Sequence, residues 1–299
     1  MIRLGVDFGG TKIEAAAITP DGAYAVRVRE PNPGTYDAAL DTVARLVEAV
    51  EKEAGPAPRL GVGMPGSVSP RTGAIRNANS VWLNGRPFRE DLEARLGRPV
   101  RLANDANCLA LSEASDGAGA GARVVFAAII GTGCGGGVVV DRRIVEGANG
   151  IGGEWGHTPL PWPGPDELPA NPCWCGRRGC LETYVSGTGL ERDYAQGAPP
   201  LRAPEIVAAA EAGEPRAAAA LDRYVDRFGR GLAVIADVLD PDVIVLGGGM
   251  SNVEALYARV PPVLAERMFS DVCETRLVKA RHGDSSGVRG AAWLWPIDG

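Results

Sequence analysis

Gly5-Val6-Asp7-Phe8-Gly9-Gly10-Thr11-Lys12-Ile13-Glu14-Ala15-Ala16-Ala17-Ile18 is the stretch whose reading decides the fold. Ile2 to Asp7 is an apolar run that reads as a strand, Phe8 to Lys12 as a turn, and Ile13 to Ile18 as a second strand. Asp21-Gly22 is a hairpin signal, and Tyr24 to Arg29 forms a third strand. A strand, a glycine turn and a strand differ from the strand–turn–helix unit that opens a dinucleotide or P-loop site. The theme returns about half a chain later. Val124 to Ile130 reads as a buried strand, Gly131-Thr132-Gly133-Cys134-Gly135-Gly136-Gly137 as a glycine-rich turn, and Val138 to Val140 as the next strand. Asp141 to Arg143 is then a turn, and Ile144-Val145 continues the meander. Two such units point to a weak internal duplication, with two related lobes facing a cleft.

Helices and further strands fill the space between. Ala39, Leu40, Val43, Leu46, Val47 and Val50 recur at helical spacing within Tyr36 to Glu53, and Gly55-Pro56 ends that helix. Leu60 to Met64 is a strand, Phe88 to Leu96 a short helix and Val100 to Ala103 a strand. Asn104-Asp105 then opens a helix through Ala114. Glu154 to Cys180 holds six prolines and reads as irregular. Helices resume at Pro204–Ala212 and Pro215–Leu239, and Val243 to Leu246 is a strand ending in Gly247-Gly248-Gly249. Val253 to Met268 is a helix that Pro261-Pro262 kinks or breaks, and Gly287 to Trp295 is a terminal helix. The class is α/β.

The 299 residues carry a net charge of −6 and 45% apolar residues, within the range of globular chains. An acidic balance argues against a nucleic-acid surface. No window has the ~20 apolar residues of a membrane helix. Asp7 stands where a signal peptide has its apolar core, so the expected location is cytoplasmic and no membrane partner is expected.

Three of the six cysteines, Cys173, Cys175 and Cys180, fall close together after His157. His-x15-Cys-x-Cys-x4-Cys supplies a complete tetrahedral set for Zn2+, with no open position, so the metal is expected to be structural. The competing reading is three free thiols, or one disulfide and a spare. Cys108, Cys134 and Cys273 read as packing residues, and His282 as a surface or supporting residue.

Three glycine turns follow apolar strands: Gly9-Gly10-Thr11, Gly131 to Gly137, and Gly247-Gly248-Gly249. Their N–H groups form anion nests that backbone glycine leaves open. Thr11 and Thr132 add hydroxyls, Lys12 adds charge, and Asp7 is placed to orient Mg2+ or its waters. Taken singly, such a turn is usually only a plain hairpin; the combination of three favours phosphate binding. Asp105, at a strand-to-helix junction, is by its motif alone an N-cap.

Asp7-Phe8-Gly9-Gly10-Thr11-Lys12, Gly131 to Gly137 and Leu246 to Gly249 resemble the two phosphate loops and the adenosine loop of the actin-like ATPase superfamily. Within it the sequence resembles the ROK family of repressors and sugar kinases, from Asp7 to Trp295. It is most similar to bacterial fructokinases of the manno(fructo)kinase type, through Gly66 to Pro70, Asn77 to Gly85, Leu102 to Ala110 and His282 to Trp295. The resemblance implies an actin-like, ribonuclease H-like fold of two lobes, with ATP and sugar in the interlobe cleft. Residues 1–118 with 284–299 form the small lobe and 119–283 the large one. It implies Asp105 as the catalytic base and Asn104, Glu154, His157 and Glu182 as sugar contacts, with Gly66 and Asn79 lining the other side. Asp7, Gly9, Gly10, Thr11, Lys12, Gly131, Thr132, Gly133, Gly247, Gly248 and Gly249 serve ATP.

On this reading ATP and Mg2+ drive phosphorylation of a free hexose, D-fructose to fructose 6-phosphate, by a homodimer. N-acetylglucosamine kinase or glucokinase of the same family is the alternative. A sugar-responsive repressor is a remote one, because Asp7 already lies in the first phosphate turn and leaves no room for a DNA-binding segment.

Overall fold

The structure is a computed structural model that describes residues 2–196 and 199–295. Residues 1 and 296–299, the outer ends of the expected small lobe, lie outside the described residues. The chain divides into two units, one of residues 1–121, 137–152 and 282–299 and the other of residues 122–136 and 153–281.

In the first unit, Arg3–Phe8 (β1) and Lys12–Ile18 (β2) pair antiparallel with Asp7 opposite Glu14. Tyr24–Pro31 (β3) completes the meander. Tyr36–Ala54 (α1) buries Ala39, Leu40, Val43, Leu46, Val47 and Val50, the residues that set the 3.6-residue period. Leu60–Met64 (β4), the short pair Ser67–Val68 (β5) and Ile75–Arg76 (β6), Phe88–Leu96 (α2), Val100–Asn104 (β7) and Asp105–Asp116 (α3) follow. The sheet order is β3-β2-β1-β4-β7, with β1, β4 and β7 mutually parallel. Leu4, Val6, Leu60, Val62 and Met64 are buried, which is why these central strands read as continuous apolar runs.

Val124–Ile130 (β8), Cys134–Val140 (β9), Arg143–Ile144 (β10), Val243–Gly247 (β11) and Arg276–Lys279 (β12) form a second sheet in the order β10-β9-β8-β11-β12. This is the first sheet's order repeated, each time with a glycine turn between the first two strands. The second unit adds Glu182–Val185 (α4), Gly187–Tyr194 (α5), Ala203–Glu211 (α6), Pro215–Leu239 (α7) and Ala255–Arg267 (α8). The 25-residue α7 is the helix against which α4, α5, α6 and α8 pack. Ser286–Trp293 (α9) returns to β1, β4 and α3 of the first unit.

Several elements differ from the sequence reading. The second glycine turn is short: Cys134 to Gly137 are already strand, because bare glycine backbone there lets Trp155 lie against Gly136. α4 and α5 fill a stretch, residues 182–194, to which the sequence reading assigned no element; each is too short to register a helical period, and Ser186 starts α5 by accepting the Gly189 N–H at 3.0 Å. β12 carries no buried face and so no alternation to read. α8 runs unbroken through Pro261-Pro262, its buried Leu256, Val260 and Leu264 outweighing the missing donors. Residues 137–152, expected in the large lobe, group with the first unit. There β10 meets α3, and Arg76 Nη2 donates to Asn149 O at 3.0 Å.

Candidate active site

In the first unit, strand register decides which residues share an edge. Asp7 aligns with Gly63, Gly63 with Ala103, and Met64 with Asn104. The first glycine turn, the Pro65-Gly66 turn and Asn104-Asp105 therefore leave the same carboxyl edge of one parallel core. That edge is where open α/β sheets bind ligands. Asn32 supports the first turn by donating Nδ2–H to Gly9 O at 2.8 Å and its own N–H to Thr11 O at 2.9 Å. Lys12 lies 4.0 Å from Glu14, which also accepts from Arg27 Nε at 2.6 Å. Gly66 presses on the backbone of Arg76 to Ala78, which brings exposed Asn79 to the same edge. Asn84 fastens that segment through both Ala78 N–H (2.9 Å) and Ala78 O (3.0 Å).

The helix cap is Asn104, not Asp105. Asn104 Oδ1 accepts the Asn107 N–H at 2.7 Å, while Asp105 is the first residue of α3, its Oδ1 accepting the Ala106 N–H at 2.8 Å. Asp105 reaches solvent, yet desolvation by the surrounding protein pushes its carboxyl up, against hydrogen bonds from the Ala106 and Asp105 N–H groups. Asp7 is pushed from 3.8 to about 6 by burial first, then by the charges of Glu14 and Asp105. An excess of negative charge at this edge is what a divalent cation relieves, so Asp7 fits Mg2+.

In the second unit, β8 and β11 are parallel neighbours, with Gly247 opposite Ile129. Gly131–Gly133 and Gly247–Gly249 thus leave one carboxyl edge as well. Gly248, at φ +78°, lies so close to the Ile130 backbone that a side chain has no room. Gly187 N–H donates to Gly131 O and Thr188 Oγ1 to Thr132 O, both at 2.7 Å, so α5 holds the second turn by its carbonyls. Gly156 is as confined: Cys134 O occupies the space of a Cβ there, which lets Trp155 donate Nε1–H to Gly135 O at 2.9 Å. This seats Glu154 and His157 at either end of a 3-10 turn beside β9, with Glu154 exposed. Glu182 opens α4 and accepts from Cys134 N–H at 2.9 Å and Trp174 Nε1–H at 2.7 Å.

His157, Cys173, Cys175 and Cys180 converge, with all four donor atoms within 4.8 Å of one another. His157 Nδ1 is 3.7 Å from Cys173 Sγ, and Cys175 Sγ is 3.5 Å from Cys180 Sγ. Zinc–ligand bonds of about 2.0–2.3 Å give tetrahedral edges of about 3.5–3.8 Å, so the residues fit the metal. The cysteines are free thiols. Burial pushes Cys180 up to about 12, a value that a bound dication reverses.

The ROK family profile matches residues 3–297. The N-acetyl-D-glucosamine kinase of Photobacterium profundum is 40% identical over 296 residues, 97% of this chain and 98% of that protein. The chain belongs to the ROK family. Among solved ROK structures, the hexokinase of Thermus thermophilus superposes with a TM-score of 0.88 at 35% identity, over 98% of this chain and 97% of that one. The glucokinase of Streptomyces griseus, in complex with glucose and AMPPNP, gives 0.78 at 28% identity, over 98% and 99%. This ROK chain is a sugar kinase with the actin-like fold, which implies ATP and Mg2+. Its curated relative acts on N-acetylglucosamine, so the expected fructose is not supported as the sugar and the alternative is better backed.

Sequence reading of this ROK chain passed over several residues. Asn32 and Thr188 brace turns from far along the chain, and Asn84 braces its own loop across six residues; none carries a signal of that role. Arg227 and Arg230 of α7 bind Glu167, at 2.7 and 2.6 Å, and hold the proline-rich segment to α7. His282, left open as a surface or supporting residue, pairs through Nε2 with Asp116 at 2.9 Å.

Proposed function

We propose that the protein transfers the γ-phosphoryl of ATP to the 6-hydroxyl of N-acetylglucosamine. The observation that carries the sugar is the 40% identity to an N-acetyl-D-glucosamine kinase across nearly both full lengths. The observation that supports the chemistry is a solvent-reaching carboxylate that does not serve as the helix cap, Asp105, on the carboxyl edge that also bears the first glycine turn. On this reading Asp105 accepts the hydroxyl proton as the oxygen attacks the γ-phosphorus, and ADP leaves as the P–O bond breaks. Asn104, through its free amide nitrogen, Glu154, His157, Glu182, Gly66 and Asn79 hold the sugar. Asp7, Gly9, Gly10, Thr11, Lys12, Gly131, Thr132, Gly133, Gly247, Gly248 and Gly249 hold ATP. Mg2+, held by Asp7, supplies charge neutralisation on the phosphates.

His157, Cys173, Cys175 and Cys180 hold structural Zn2+. Nδ1 faces the sulfurs, which leaves Nε2 for a sugar hydroxyl. The first unit serves as the lobe of the base and the second as the lobe of the zinc site, working in the cytoplasm as a homodimer. Glucose is the second reading, favoured by the Streptomyces griseus structure, and fructose ranks behind it. A coupled assay of ADP release tests the sugar. The highest kcat/KM is expected with N-acetylglucosamine; a clear preference for glucose or fructose refutes this choice.

A further inference from the structure

We infer that Trp174 is a positioning residue for Glu182, through which the metal loop sets the sugar-contact carboxylate and the second phosphate turn together. The inference rests on the reading above, in which Glu182 touches sugar and the four-residue cluster holds zinc.

Trp174 lies between two of the clustered cysteines and is 69% exposed, an unusual place for an indole. It is nevertheless fixed at two points. Its Nε1–H donates to Glu182 Oε1 at 2.7 Å, and its ring meets His157 edge-on, with centroids 5.0 Å apart. The second oxygen of Glu182 is also assigned: Oε2 accepts the Cys134 N–H at 2.9 Å and stands where a Cβ on Gly133 would come within 2.8 Å. One carboxylate thus has one oxygen on the metal loop and the other on the phosphate turn. It cannot rotate without losing one of them.

The stretch from Cys180 to Thr188 continues the connection. After the ligand Cys180 come Glu182, Gly187 and Thr188, which contact Cys134, Gly131 and Thr132 in turn. The indole is what ties the outer end of this strut to the cysteine loop. Without its N–H, Glu182 keeps its bond to Cys134 but loses the restraint that sets its plane. The expected loss falls on sugar binding rather than on the chemical step.

The test compares Trp174→Phe with Glu182→Gln in the zinc-loaded protein, with N-acetylglucosamine and glucose as sugars. Trp174→Phe keeps the ring beside His157 and removes only the donor. Its sugar KM is expected to rise about fivefold, as for loss of one ordinary, solvent-screened hydrogen bond, with kcat within about twofold and zinc still one per chain. Adding Trp174→Phe to Glu182→Gln is expected to raise the sugar KM no further. An unchanged sugar KM in Trp174→Phe, while Glu182→Gln raises it, overturns this inference alone. An unchanged sugar KM in both variants overturns the reading of Glu182 as a sugar contact, and the inference with it. Loss of zinc from Trp174→Phe also overturns it, since the effect is then one of loop folding.

Discussion

Asp105 begins α3 without serving as its cap, because Asn104 takes the Asn107 N–H. Its carboxylate therefore stays available for the proposed proton transfer. Asp105→Asn is expected to lower kcat by roughly 10²–10⁴, while the melting temperature and the sugar KM change little. An Asn that kept near wild-type turnover would remove Asp105 from the base role. Asp7 offers a pH-dependent counterpart. Its native carboxyl titrates near 6 against an ordinary 3.8, so the native state holds an extra proton in between. Stability contributed at this site falls as pH rises through that window, and the penalty is complete above pH 6. Without metal, Asp7→Asn is expected to be more stable than wild type by about 3 kcal/mol at pH 7.5, with most of the gain gone by pH 4, and to have lost turnover. Thermal melts at both pH values measure it; a gain independent of pH contradicts the electrostatic origin.

The glycine turns and the cysteine spacing were legible because each is a local signal of a few residues, whereas the cap of α3 was read one residue late, at Asp105 instead of Asn104. The elements that hold them were less so. α4 and α5 brace the second turn, yet one is a single helical turn and the other opens on glycines, so periodicity had nothing to find. The segment between His157 and Cys173 read as irregular, which it is apart from short 3-10 turns; its order comes from α7 instead. Burial alone raises Glu167, but hydrogen bonds from Arg230 and Arg227 overrule it and hold the carboxyl at about 2 against an ordinary 4.5. That stability is present above pH 4.5 and is lost as pH falls through about 2. Glu167→Gln leaves two buried guanidinium groups short of a partner and is expected to destabilise the protein by about 3 kcal/mol at neutral pH. Denaturant melts at pH 7 and pH 3 should show the difference from wild type narrowing with acid; a constant difference speaks against the ion pairs.

At the scale of the molecule, the first sheet lies wholly within the first unit, whose core includes no residue of the cysteine loop. Removal of the proposed zinc is therefore expected to act on the second unit. With a strong chelator, backbone hydrogen exchange should rise across residues 157–194 and stay unchanged across residues 2–64. Uniform loss of protection in both, or none in either, would contradict a structural metal confined to that unit.

The sequence by itself determined the α/β class, the repeated strand–glycine turn–strand theme, the family and the cluster of His157 with three cysteines. Each of these is written in short-range pattern: apolar runs, glycine after a strand, thiols at fixed spacing. Tertiary structure decided the rest. It set the identical strand order of both sheets, the assignment of residues 137–152 to the first unit, and the sharing of Glu182 between Trp174 and Cys134. Those outcomes depend on which strands lie parallel and which distant backbone groups need a partner. Both are settled only when the sheets form and buried polar groups find their hydrogen bonds.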